Sequence, residues 1–578
     1  MSTPTVGIAG AGRAVEAVRA AIDGAEIVAL DPEQLGRADF GVVVDDAGAP
    51  AFSRANRAAR AGETPWLAVE LGGVGGRPIS AVDAAVSGFT VRTACYECLE
   101  ARVAANADDG DAESGAGTAP ATARFAGALA GREAARLLDG EDSAVLGGVL
   151  EVPHAERRLL PVPGCSICGA DPEVEPGLDR EFVDATLEAS LTRAELAVDD
   201  RVGIVSTLGE AESFPAPYYL ATLADTTGFS DARSAEQAAG VAVDWNEALM
   251  KALGEALERY AAGVYRESSF RIARSVDLDA PVPPAAFVRP DGWTDPGPDD
   301  ELAWVDGEDL QTGDPVALPA EFVHFPPPDV RHRPSITTGL GLGNSGVEAT
   351  LSGLYEAIER DATMLAWYST FEPLGLAVDT ERFDALAKRA RAEGLDVTPL
   401  LVTQNVDVPV VAVAVHREGA WPRFAVGSDA DLDPDAAAAS ALAEALQNWM
   451  ELRSMGEADA ADEDGAIGRY ADFPEAAREF VRTETTVPSA SVGPADPPEG
   501  LAELDAVLDR LADADLSAYA ASTTTRDVER LDFEAVRTLV PEAQPLFTGE
   551  SFFGERAREV PAALGFEFRP DRPFHPYP

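Results

Sequence analysis

The sequence has almost no lysine: of 45 basic residues only Lys251 and Lys388 are not arginine, against 100 acidic residues and a formal net charge of −55 over 578 residues. Such a surface repels phosphate backbones and anionic lipid, which excludes nucleic acid and membrane surfaces as partners. The acids run the whole length of the chain and form no tail, the pattern of a surface adapted to high salt. An acidic residue taken at random is therefore a solvated one. No run approaches the roughly 18 to 20 apolar residues that a spanning helix needs, so no transmembrane segment is predicted. The N-terminal MSTPTVGIAGAG has no basic stretch followed by an apolar one. It reads as the start of a fold and not as a signal peptide, and a cytoplasmic enzyme is the simplest expectation. The length exceeds what one core supports, so two or more domains are expected.

Cysteine is also scarce. The four present form two pairs, Cys95-Tyr-Glu-Cys98 and Cys165-Ser-Ile-Cys168. Each Cys-x-x-Cys turn can present two thiolates at about 2.3 Å from one tetrahedral zinc. The alternatives are two redox pairs or buried free thiols, but a redox pair usually opens a helix in a thioredoxin-like context, which neither pair shows clearly. With every cysteine committed to the pattern, a structural zinc site that staples two distant segments is favoured.

Val6 to Gly12 leads from a short apolar stretch through a glycine turn into a helical pattern from Arg13 to Ile22, followed by strand-like Glu26–Asp31 and Phe40–Val44. This is a βαβ start of the dinucleotide-binding type. Gly10 and Gly12 supply two fingerprint glycines, Val15 stands where the third belongs, and Asp31 lies at the acidic position. An incomplete fingerprint favours the fold over the ligand. Residues 105–122 are small, acidic and Gly-rich and read as a disordered excursion inside the first domain. A domain boundary is expected near 170–185.

Asn246 to Tyr260 has a strong helical pattern, with Ala248, Leu249, Ala252, Leu253, Ala256, Leu257 and Tyr260 on one face and Glu255 and Glu258 together on another. Alone it could be ordinary surface, with Lys251 and Glu255 as an i,i+4 pair. Gly339 to Asp361 begins as a glycine-rich loop and continues as a helix in which Glu348, Ser352, Glu356 and Glu359 form one polar stripe. Carboxylates in a line repel unless cations sit among them, and Mg²⁺ shared with phosphate would satisfy them. Glu348 also has capping-box spacing from Ser345. Glu444 and Gln447, three apart in an alanine-rich helix, are less distinctive.

Taken in order, Lys251–Tyr260, Thr338–Ser345, Leu354–Ala362, Glu444–Gln447 and the terminal Pro573-Phe-His-Pro-Tyr-Pro578 resemble the YcaO family, and within it the azoline-forming cyclodehydratases. The resemblance implies that Glu255, Glu258, Glu348, Glu356 and Glu359 surround ATP and its Mg²⁺ ions, with Asn344, Arg259 and Arg360 beside the nucleotide. It places Glu444 and Gln447 in a third motif and brings the Pro578 carboxylate toward the reacting centre. Pro578 and His575 are the candidate general bases. Where many relatives have Arg after the third-motif glutamine, this chain has Asn448-Trp449 and reaches Arg453. The first 170 or so residues resemble the E1-like, zinc-bearing domain that such enzymes carry.

The expected organisation is thus α/β and α+β: a Rossmann-like E1-type domain over 1–175 with a four-cysteine zinc site at Cys95, Cys98, Cys165 and Cys168, then a YcaO-type α+β domain over 185–578. The expected cofactors are ATP, Mg²⁺ and structural Zn²⁺. A peptide or protein is the expected substrate, with room for a sulfur-donor or leader-binding partner and for a homodimer. Azoline formation is the first reading and thioamide formation the second. A non-catalytic scaffold and a nicotinamide-dependent oxidoreductase are the competing classes; the first has no need to keep mutually repelling carboxylates, and the second lacks a full fingerprint.

Overall fold

The structure is a computed structural model that describes residues 3–107, 118–169, 178–462 and 466–578. The acidic excursion expected at 105–122 falls largely on 108–117, outside the described residues, as does part of the expected 170–185 boundary. The chain divides into two compact units. The first comprises residues 1–174 with 196–207 and 222–236, the second 175–195, 208–221 and 237–578.

In the first unit, strand β1 (Thr5–Ala9), helix α1 (Arg13–Ala21), strands β2 (Glu26–Ala29) and β3 (Phe40–Asp46), helix α2 (Ala51–Ala61) and strand β4 (Trp66–Leu71) are followed by β5 (Ala84–Phe89), α3 (Tyr96–Ala105), α4 (Pro120–Leu138), β6 (Gly148–Val152) and β7 (Ala155–Arg158). One seven-stranded sheet runs β2-β1-β3-β4-β5-β6-β7. Its β2-β1-β3-β4 half is parallel and the rest antiparallel. Continuous apolar runs in β1, β3 and β4 bury Val6, Ile8, Val42, Val44, Leu67 and Val69 beneath helices on the sheet, as a parallel sheet requires.

The β1–α1 turn explains the missing third glycine. Gly10 has φ +118°, and a Cβ there would fall 2.3 Å from the Val44 carbonyl oxygen. Val15 instead points into the core. Close packing on α1 is supplied from the other side by Gly127 of α4, where a Cβ would lie 2.2 Å from the Ala14 carbonyl oxygen.

The second unit carries α5 (Leu187–Ala194), β8 (Gln237–Val241), α6 (Trp245–Gly263), β9 (Arg271–Arg274), β10 (Glu301–Asp309), β11 (Pro315–Pro319), β12 (Leu340–Gly343), α7 (Gly346–Trp367), β13 (Leu374–Ala377), α8 (Glu381–Ala392), β14 (Asp396–Leu401), β15 (Val410–His416), β16 (Phe424–Ala430), α9 (Pro434–Met455), β17 (Thr486–Pro488), β18 (Tyr519–Ser522) and β19 (Glu534–Leu539). One antiparallel sheet runs β9-β10-β18-β19-β12, with β11 paired to β10. A second runs β16-β15-β14-β13-β17, antiparallel except for the β13–β17 pair.

The glycine-rich stretch read as a loop is strand β12, paired residue for residue with β19 from Leu340↔Arg537 to Gly343↔Glu534. Its glycines serve packing. A Cβ on Gly341 would fall 2.0 Å from the Ala349 carbonyl oxygen, and one on Gly343 2.5 Å from Ala349 N, so only glycine lets α7 lie this close.

Among the described residues no helix is long and apolar enough to cross a membrane. With a net charge of −55, self-repulsion opposes the compact state until salt screens it. The midpoint of thermal unfolding is expected to climb as KCl rises to molar concentrations, by on the order of 10 °C for a gain of several kcal/mol. Differential scanning calorimetry across a KCl series checks this.

Candidate functional site

Three helices converge on one cavity of about 700 Å³ in the second unit. Helix α6 starts at an Asp244 cap that accepts from Glu247 N and buries Ala248, Ala252, Leu253, Ala256, Leu257 and Tyr260. That leaves Lys251, Glu255 and Glu258 on the cavity side. Helix α7 is buried on nearly every face. The expected stripe of Glu348, Ser352, Glu356 and Glu359 lines the cavity, with Arg360 beside it. Helix α9 adds Ser440, Glu444 and Gln447, and β16 adds Ser428, Asp429 and, just past its end, Asp431.

Each carboxylate has defined partners. Glu255 accepts from Ala239 N at 2.9 Å and from Arg259 at 3.2 Å. Glu356 accepts from Gly339 N at 2.9 Å. Glu348 accepts from both the backbone and the side-chain nitrogen of Asn344 at 2.8 Å. The Ser345 cap receives Glu348 N, but the carboxylate reaches one residue further back than a capping box requires, to Asn344. Asn344 Oδ1 in turn accepts from Ser190 at 2.7 Å and from Arg193 of α5. Glu359 accepts from Ser428 Oγ at 2.6 Å and pairs with Arg360 at 3.0 Å. Glu444 accepts from Ser428 N at 2.7 Å, and Gln447 donates to Glu451 at 3.0 Å.

Among the described residues the lining holds nine carboxylates, from Glu247, Glu255, Glu258, Glu348, Glu356, Glu359, Asp429, Asp431 and Glu444, against four cations, Lys251, Arg259, Arg360 and Arg382. Burial with too few counter-charges pushes Glu359, Glu444 and Asp429 upward, Glu258 to about 8 and Asp431 to about 7. Burial is the largest cause in each, and neighbouring carboxylates add to it at Glu359, Glu444, Glu258 and Asp431. Clustered hard oxygens that hold protons for want of cations fit a site for divalent metal, and such metal is usually shared with phosphate.

Metal displaces those protons, so affinity for a Mg²⁺-bound ligand is expected to rise with pH up to about 8 and then level off. Proton release measured calorimetrically in buffers of different ionisation enthalpy checks this. For the fold the sign is opposite. Glu258 binds its proton more tightly folded than at its ordinary value of 4.5, so the metal-free protein loses stability as pH rises from about 4.5 to about 8.

Two expected residues are not brought to this cavity. His575 is buried among Phe547, Phe574 and Tyr577. Its Nε2 lies 2.7 Å from the Phe547 carbonyl oxygen, and burial pushes its pKa down to about 4. Pro578 is exposed and outside the lining. Arg453 lies over the Trp449 ring and donates to Glu212 and to the Phe214 carbonyl. Lys251 does not pair with Glu255: its ammonium donates to Ser440 Oγ at 3.2 Å, while Glu255 takes Arg259. Ser428, Asp429, Asp431, Ser190 and Arg193 were not anticipated. They come from segments whose own sequence carries no periodic signal toward α7; for Lys251, the rarity of lysine in this chain was the available clue.

Residues 239–544 match the family model described as YcaO cyclodehydratase, ATP- and Mg²⁺-binding, which spans more than half of the chain. The chain belongs to the YcaO family. The YcaO match covers all the cavity-lining carboxylates. A heterocyclase solved in complex with substrate and cofactor has a TM-score of 0.77 at 19% identity, covering 97% of this chain and 83% of that one. The heterocyclase TruD has a TM-score of 0.68 at 18% identity, covering 97% and 82%. At these identities the likeness is one of fold, and it takes in the first unit as well as the YcaO unit. An uncharacterized protein of Methanothermobacter thermautotrophicus is 32% identical over 226 residues, 36% of this chain and 56% of that protein. The chain thus spans little more than half the length of that curated relative.

The first unit holds the second cluster. All four cysteine sulfurs lie within 4.8 Å of one another. Cys98 and Cys168 are 3.3 Å apart, Cys95 and Cys165 3.7 Å, and Cys95 and Cys98 3.8 Å. A tetrahedron with sulfurs about 2.3 Å from a central zinc has edges of about 3.8 Å, whereas a disulfide needs about 2.05 Å. Cys95 occupies the N-cap position of α3, so the first pair does open a helix, a context that the sequence does not show clearly. The proximity of the second pair is what sets it apart from a lone redox motif. Val162 N points at Cys98 Sγ at 3.4 Å, an outer hydrogen bond suited to a thiolate.

Proposed function

We propose that the chain uses Mg²⁺-ATP to activate a peptide backbone amide, with cyclodehydration of a Cys, Ser or Thr residue to an azoline as its reaction. The carrying observation is the single cavity in which α6, α7 and α9 present carboxylates that burial leaves short of cations, in a chain of an ATP- and Mg²⁺-binding family. When bound, the nucleotide supplies a phosphoryl group that turns the amide oxygen from a poor leaving group into phosphate. Glu255, Glu258, Glu348, Glu356 and Glu359 are the residues to hold its Mg²⁺ ions, with Glu444 alongside. Arg259 and Arg360, each tied to two of those carboxylates, fix the wall's geometry and offset charge near the phosphates. Asn344, held by Glu348, Ser190 and Arg193, keeps the start of α7 in place. Catalysis of this kind is mainly positioning and charge neutralisation.

The four cysteines are proposed to hold a structural zinc, since four thiolates leave no open position for chemistry. A peptide is the proposed substrate. Its identity sets whether a neighbouring side chain closes a ring or external sulfide replaces the oxygen. The test is phosphate release from ATP by the full-length protein in high salt, with and without candidate peptides, coupled to mass spectrometry of the peptide. Peptide-dependent phosphate release with loss of water supports azoline formation, and oxygen-to-sulfur exchange would move the reading to thioamide formation. No stimulation by any peptide would favour a scaffold.

A further inference from the structure

Among the described residues four cations line the carboxylate cavity, and three are already matched. Arg259 pairs with Glu255 at 3.2 Å and Glu258 at 3.6 Å. Arg360 pairs with Glu359 at 3.0 Å and Glu356 at 3.8 Å. Arg382 pairs with Glu247. Lys251 stands apart. Among the described residues it has no carboxylate within ion-pair distance, and its ammonium donates to one neutral group, Ser440 Oγ, at 3.2 Å. An ammonium has three donors, so two remain for a ligand.

Its position is also specific. Lys251 lies one turn before Glu255 and two before Glu258 on the same side of α6, and it is exposed at the cavity. It is one of two lysines in a chain that otherwise uses arginine for every basic residue. The other, Lys388, is exposed on α8 and lies 3.9 Å from Asp384, an ordinary surface pair.

We propose that Lys251 is the residue with which this site recognises the terminal phosphate of a nucleoside triphosphate and so separates it from the diphosphate. This rests on the reading of the cavity as a Mg²⁺-nucleotide site. A terminal phosphate brings additional negative charge into a lining already dominated by carboxylates, and Mg²⁺ bound to those carboxylates compensates only part of it. Among the described residues of the lining, Lys251 is the cation without a carboxylate in ion-pair contact, and a compact point charge with rotatable donors suits a phosphate that changes position during transfer.

The test is calorimetric titration of the full-length protein in high salt and Mg²⁺ with a non-hydrolysable ATP analogue and, separately, with ADP. In the wild type the triphosphate is expected to bind more tightly. In Lys251→Gln its affinity is expected to fall by roughly 10- to 100-fold, the scale of a lost charged hydrogen bond, with ADP within about threefold of wild type. Lys251→Arg, which keeps the charge, is expected to retain most of the preference. An unchanged triphosphate-to-diphosphate ratio in Lys251→Gln, or equal weakening of both, would overturn the proposal. Wild-type protein that binds neither nucleotide would overturn the underlying reading too, a failure visible without any variant. Among the described residues Lys251 makes no ion pair and a single hydrogen bond, to Ser440, so thermal melts of both variants are expected to match wild type.

Discussion

Glu359→Gln is expected to reduce Mg²⁺-ATP turnover by at least about 100-fold, the scale on which removing a preorganised charge acts on a transfer step, while leaving the fold intact. Glu359 is the most deeply placed of the α7 carboxylates that line the cavity, 5% exposed, and burial holds its pKa well above the ordinary value. Burial works against its charged form, so an uncharged isostere costs the fold little. Glutamine can still meet Ser428 Oγ at the position where the carboxylate does. It cannot supply the negative charge that a Mg²⁺ ion needs from this wall. Glu356→Gln is expected to behave likewise and to weaken the contact to Gly339 N only modestly, since an amide oxygen still accepts. Steady-state phosphate release and a thermal melt of each variant check this. Turnover within threefold of wild type in both would remove the α7 carboxylates from the chemistry.

The other large effect is expected in the first unit. Stripping metal with a strong chelator, or replacing Cys98 by Ala, should unfold this unit or lower its melting transition sharply. A structural zinc contributes on the order of 10 kcal/mol or more of apparent binding energy, against a domain stability of about 5 to 15 kcal/mol. Cys98 is fully buried and lies within 3.8 Å of both Cys95 and Cys168, so its loss breaks the tetrahedron from inside. Metal analysis should find one zinc per wild-type chain and almost none in the variant. Native circular dichroism and an unshifted melt in a metal-free protein would show that the cysteines pack as free thiols.

What the sequence discloses depends on how local the signal is. The α6 and α7 stripes are legible because 3.6-residue periodicity places Glu255 with Glu258, and Glu348 with Glu356 and Glu359, whatever surrounds them. The cysteine pairs are legible because nothing competes with them for the same pattern. The remainder of the site is assembled at long range. Ser428 reaches Glu359 across 69 residues, and Ser190 reaches Asn344 across 154. The glycines of β12 suggested a loop because their tolerance of tight turns is a local property, whereas the close approach of α7 to the strand is a tertiary one. His575 illustrates the same limit. A histidine's ordinary pKa suggests a base, and only the aromatic surroundings and the Phe547 carbonyl show it buried and neutral.

The central claim is that the carboxylate cavity holds a nucleotide through Mg²⁺. Equilibrium binding of ATP to the full-length protein in high salt, with Mg²⁺ present and then removed by chelation, tests it most directly. One nucleotide bound per chain with Mg²⁺, and at least tenfold weaker binding without it, is the expected result. No binding in either condition, or equal binding in both, would contradict the account.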